Sequence, residues 1–134
     1  SLGLRPALVT AVGFCMYVRD AMLARVGYFD EENFGRGYGE ENDLCERAVA
    51  AGFTVRLADD VFVYHAGEAS FGPATAELKR SAEQSMERLH PGFFARVASY
   101  LAQRPLAPVH ENLKLALRRR TAAPGLLMLL HAPF

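Results

Sequence analysis

The sequence predicts an α/β chain whose β-containing front half is followed by a helical tail. Three observations carry that expectation. Residues 8–18 are mostly apolar and small, and Val12, Phe14, Met16 and Val18 alternate on one face with the period of a strand. Residues 53–57 and 61–65, FTVRL and VFVYH, are two further short β-like runs parted by Ala58, Asp59 and Asp60. Beyond residue 73 the apolar spacing becomes helical, with prolines punctuating it.

The elements follow in order. Gly13 sits inside the first predicted strand, where close backbone approach is tolerated. Asp20 is a suitable N-cap for a short helix over 21–26, which Gly27 ends. Tyr28 and Phe29 come next and are expected to pack that helix down. Residues 31–38, EENFGRGY, are polar and glycine-rich and read as a surface loop, a kind of segment that often carries function. A helix over 40–51 follows: Leu44 and Ala48 lie four apart, as do Cys45 and Val49, and Gly52 stands where a C-terminal cap is wanted. In the last β-like run Val61, Val63 and His65 share one face, with Phe62 and Tyr64 on the other. His65 therefore closes a strand and opens into a second glycine-bearing loop over 66–72. Asp59-Asp60 is a turn between strands.

The tail divides at its prolines. A polar helix over 74–90 has Leu78, Met86 and Leu89 as its buried candidates and stops at Pro91. Residues 93–103 form a second helix with Phe94, Val97, Tyr100 and Leu101 on one stripe. Pro105 and Pro108 interrupt before a third helix over 109–120, through Leu113 and Leu117, which Pro124-Gly125 ends. Residues 126–134 are apolar enough to dock on another surface. The front half, 1–73, holds the chemically suggestive groups, and 74–134 reads as packing.

Composition bounds the function. A chain of 134 residues with 51% hydrophobic content buries one core. Fifteen basic and fifteen acidic side chains cancel, so no net field recruits nucleic acid or an anionic membrane, and Arg118, Arg119 and Arg120 read as the solvated face of a helix. Cys15 and Cys45 make neither a CxxC nor a disulfide framework, which fits a reduced, cytoplasmic compartment. No signal peptide is visible, and the apolar run 126–130 is far too short to span a bilayer, which leaves room for peripheral attachment at the inner face of a membrane. The absence of an initiating methionine and the early strand signal point to a fragment of a longer protein.

The stretch 37–52, GYGEENDLCERAVAAG, concentrates the chemistry. Gly37 and Gly39 precede Glu40, Glu41 and Asp43, which open a helix. The positive end of the helix dipole favours the ionised carboxylate there. First-turn acids ordinarily do no more than cap, and a lone histidine at a strand end is ordinarily packed or solvated. A charged carboxylate beside flexible glycines is also suited to accept a proton from a bound hydroxyl.

Residues 13–53, together with ADDVFVYHAGEASFG over 58–72, resemble the acceptor-side half of a family-2 glycosyltransferase of the GT-A fold, which implies a mixed sheet with flanking helices, over about residues 8–73. The resemblance implies transfer of a sugar from a nucleotide-diphospho-sugar donor to a glycan or other hydroxyl acceptor, with inversion. In its terms Glu40-Glu41 stands for the family's acidic pair, usually Glu-Asp, and Glu41 is the general base. Asp43 matches an acid that helps hold the acceptor, and Gly37, Tyr38, Gly39 and Glu40 line the acceptor pocket. His65 matches a histidine that completes a divalent metal site. The loop holding Gly67, Ser70 and Phe71 resembles a segment over the donor diphosphate. The family's nucleotide-binding half and its Asp-x-Asp motif are not in this chain. The Mg or Mn ion is therefore expected in the full-length protein only, and the isolated fragment is expected to be inactive. A reading from another class is a non-catalytic interaction module, whose acidic glycine-rich loop and apolar helices bind a protein partner.

Overall fold

The structure is a computed structural model that describes residues 3–35, 38–65 and 75–119. Its described residues form six α-helices and a single isolated antiparallel bridge, Ala7 to Arg56. The expected mixed sheet, and with it the GT-A architecture, is thereby overturned.

The reason lies in what the extended segments bond to. Leu8 N donates to Val55 O (3.0 Å) and Leu57 N to Pro6 O (3.0 Å), so pairing begins beside the bridge. It stops at once, because the next residues turn onto a helix. Thr10 Oγ1 donates to Asn42 Oδ1 at 2.7 Å, and Ala11 N donates to Cys45 Sγ at 3.4 Å. A ladder needs a continuous row of backbone partners, and here a side chain of the helix takes the Ala11 N–H. Residues 61–65 likewise form no strand, and Val61, Phe62, Val63 and Tyr64 are all exposed. Asp59 and Asp60 do form a turn, with Val61 N donating to Ala58 O at 3.3 Å, but it joins no strands; Asp59 instead accepts from the distant backbone N–H groups of Leu4 and Arg5.

Helix α1 spans Asp20–Val26 and ends at Gly27, whose φ of 82° suits glycine; its N-cap is Arg19, with Asp20 inside the first turn. Tyr28 and Phe29 do not pack it down, for both are exposed. The expected loop contains a short helix, α2, over Glu31–Phe34. Asp30 caps it by accepting from Asn33 N at 3.0 Å, and the turn places Phe34 in the core. Helix α3, Glu40–Ala50, matches the acidic helix closely.

The tail helices are α4 (Thr75–Leu89), α5 (Phe93–Ala102) and α6 (Ala107–Arg119). In α4 the deepest residues are Met86 and Ala82, four apart on one face, with Leu78 and Leu89 half-buried. In α5 the inward residue is Phe93, not Phe94, which stays exposed along with Leu101. Pro108 does not interrupt α6. It occupies the first turn, where its missing N–H is not needed.

Two apolar clusters flank α3. Met22, Leu44 and Ala48 join α1 to α3, with Val18, Val26 and Phe53 against them. Phe34, Ala82, Met86 and Phe93 join α2, α4 and α5, with Val9, Tyr38 and Val97 against them. Gly39 stands at the second cluster, buried, with φ of 95°. A Cβ there would lie 2.8 Å from Phe34 Cδ1 and 3.4 Å from Ala82 Cβ. Gly39→Ala therefore combines left-handed strain with overpacking, an expected loss of about 2–4 kcal/mol. A chemical denaturation midpoint reads it. An unchanged midpoint would show that Phe34 yields freely.

Candidate functional site

The site is built on the first turn of α3. Tyr38 and Gly39 enter it with successive positive φ angles of 81° and 95°, a strained approach for the tyrosine. Lys79 Nζ lies 5.2 Å from the centre of the Tyr38 ring, within reach of a cation–π contact. Glu40 and Glu41 then begin the helix. Gly13 crosses above Glu41: a Cβ placed on this glycine would lie 3.7 Å from Glu41 Cβ and 3.9 Å from its Cδ.

The next residue along, Phe14, carries the connection to His65. Their rings stand 4.6 Å apart, tilted by 41°. Glu41 and His65 thus each lie against one residue of the step Gly13-Phe14, from a helix tip and from an extended segment. Twenty-four residues separate them in the chain.

Burial raises the pKa of the Glu41 carboxyl above its ordinary 4.5, and the neighbouring Glu40 charge adds to this; backbone hydrogen bonds at Glu41 and Gly39 pull the other way and lose. The helix dipole was expected to hold this group ionised; desolvation outweighs it. Glu40 Oε2 is buried with no hydrogen-bond partner among the described residues. A carboxylate oxygen left so costs free energy that a ligand donor would recover.

Asp43 is differently placed. It is only 2% exposed, and protein groups take both of its oxygens. Arg47 Nε donates to Oδ2 at 2.8 Å, and His90 Nε2 lies 2.7 Å from Oδ1. Arg47 in turn donates to the carbonyls of Val26 and Tyr28. Asp43 thus ties α3 to the end of α1 and to the turn after α4, and it points away from an acceptor role. Neither Arg47 nor His90 was anticipated. The i,i+4 spacing of Asp43 and Arg47 is a legible signal, whereas the distant His90 left none.

Gly37, Gly67, Ser70 and Phe71 lie outside the described residues. Among the described residues no three His, Cys, Asp or Glu side chains gather as a metal-holding group. His65 offers one nitrogen, which does not hold Mg or Mn against water. No described helix is long and apolar enough to cross a membrane. Comparison with protein-family models, with curated proteins and with solved structures finds no match.

Proposed function

We propose that this chain supplies the acceptor-activating side of a sugar-transfer site, with Glu41 as general base. The observation that carries the reading is a desolvated carboxyl of raised pKa, set under Gly13 and beside the orphaned oxygen of Glu40. Raised basicity at a half-buried carboxylate is what proton abstraction at neutral pH requires. Glu41 takes the proton of an acceptor hydroxyl as its oxygen bonds to the anomeric carbon of a nucleotide-diphospho-sugar. The bond from that carbon to the diphosphate breaks on the opposite face, and the nucleoside diphosphate leaves with the electron pair. The Glu41 proton then passes to solvent. Glu40 Oε2 accepts from a second acceptor hydroxyl and so orients it. The donor diphosphate binds outside the described residues.

The test is transfer by the intact protein with Glu40→Gln and Glu41→Gln. Glu40→Gln should raise the KM for acceptor with a smaller effect on kcat. Glu41→Gln should act chiefly on kcat. The reverse pattern would exchange their roles, and full activity in both would remove the pair from the chemistry.

The exposed row Val61 to Tyr64 favours the second reading, a surface for a protein partner. Under that reading Phe62→Ser abolishes partner binding and Glu41→Gln leaves it intact.

A further inference from the structure

The β-prone run 61–65 has no strand partner among the described residues. No hydrogen bond among them reaches the backbone N–H or C=O of Phe62, Val63 or Tyr64, whereas Val61 N is taken by Ala58 O at 3.3 Å. Both faces of the run are open as well: Val61, Phe62, Val63 and Tyr64 expose 64%, 64%, 43% and 70% of their surface. Phe14, whose ring lies 4.6 Å from that of His65, continues this apolar surface and is 51% exposed. An open strand edge is a template for another strand, and natural edges blunt it with lysine, proline or a bulge. VFVYH holds neither lysine nor proline. The charge that precedes it, Asp60, is paired with Arg5 at 2.9 Å.

We propose that residues 61–65 pair antiparallel with the same residues of a second copy, with Val63 on the two-fold axis. The inference rests on the second reading above, a protein-binding surface, and names its partner; it does not depend on Glu41 or on sugar transfer. Pairing about Val63 sets Phe62 opposite the second copy's Tyr64 and Val61 opposite its His65. Bonded and non-bonded pairs alternate along an antiparallel ladder. With Val63 as the close, non-bonded pair, Phe62 and Tyr64 make the bonded ones. Their N–H and C=O groups then form four hydrogen bonds, all from groups the described fold leaves unused, and Val61 N–H is not called upon. The directly opposed aromatic rings add to the pairing, and no like charges meet. At about 150–250 Å² for a whole aromatic side chain and less for valine, Val61 to Tyr64 and Phe14 offer on the order of 500 Å² in each copy, hence about 1,000 Å² in a dimer, the threshold of a specific interface. A foreign strand would need the same alternation and the same lack of charge; a second copy supplies both by symmetry.

Sedimentation velocity of the full chain tests it. The mass should double from 14.7 kDa as the concentration rises from about 1 to about 100 µM, since the area is small for a specific interface. In hydrogen exchange the Phe62 and Tyr64 amides should slow at the higher concentration and not at the lower. V63K and V63E each set like charges opposite one another across the axis, and each should weaken the dimer by at least about tenfold. An equimolar mixture of the two should recover association, because the introduced charges then attract. Circular dichroism of both should match the parent, because Val63 is exposed. A monomer throughout the range, a dimer that both variants leave intact, or a mixture that stays monomeric would overturn the inference. So would slow exchange of the two amides in the monomer, which would put a segment of the same chain on the edge. A monomer whose binding to another protein is lost in Phe62→Ser would overturn the self-pairing and leave the second reading standing. Where neither variant folds, the concentration dependence of the two amides in the unaltered chain decides.

Discussion

Glu41→Gln is expected to lower kcat for sugar transfer by about 10²–10⁴-fold, the usual contribution of a positioned general base. The amide keeps the shape of the side chain beside Gly13 and removes the group that takes the proton. The pH profile gives an independent readout. A base must be deprotonated to act, and burial raises this carboxyl's pKa above 4.5. The acid limb of kcat/KM should therefore fall at a higher pH than an ordinary glutamate would set, and it should vanish in the residual activity of the variant. Stability moves in the opposite sense. The folded protein holds the Glu41 proton more tightly than the unfolded chain, so ionising the group on folding works against the native state. Its contribution to stability falls as pH rises from about 4.5 through the raised folded value. Glu41→Gln should consequently melt higher than the parent at neutral pH, with the gap closing below about pH 4.5. A variant that loses both activity and melting temperature would assign Glu41 to the fold instead.

Asp43→Ala is expected to cost about 3–5 kcal/mol, the scale on which breaking a buried ion pair leaves its partner uncompensated. Set against about 5–15 kcal/mol for a whole domain, that is a large share of the stability. Both of its oxygens are engaged, by Arg47 and by His90, at 2.7–2.8 Å. Removing them frees a guanidinium that also holds the carbonyls of Val26 and Tyr28. Thermal unfolding should shift down by about 6 °C or more, at about 2–8 °C for each kcal/mol. An acid that only held the acceptor would behave otherwise, with an unchanged melting temperature and a raised KM. His90→Gln offers the matching check. It should lower the midpoint and, in a double-mutant cycle with Asp43→Ala, show strong non-additivity.

The helices were largely legible and the sheet was not. Helix α3 follows from Leu44 and Ala48 at spacing four, and α1 from the glycine that stops it, because such signals are local and need no distant partner. The short helix α2 escaped notice since EENFGRGY is polar throughout except for Phe34 and Tyr38; only the Asp30 cap three residues before Asn33 foretells it. Choosing Phe94 over Phe93 as the inward residue of α5 was an error of one position on a helix apolar at both. The alternation at Val12, Phe14 and Val61, Val63 is a true β pattern, but a pattern names a preference and not a partner.

The sequence by itself determined every described helix but α2, the placement of three acids at one helix start, and the uneven charge that loads residues 112–134 with cations. Each depends on neighbours within a turn or two of chain. Tertiary structure alone decided that Thr10 and Ala11 bond to α3 instead of a strand, that Asp43 also engages His90, and that Gly13 lies against Glu41 and Phe14 against His65. These are contacts between residues 28 to 51 positions apart. Their outcome turns on competition for the same backbone and carboxylate groups, which no local spacing records.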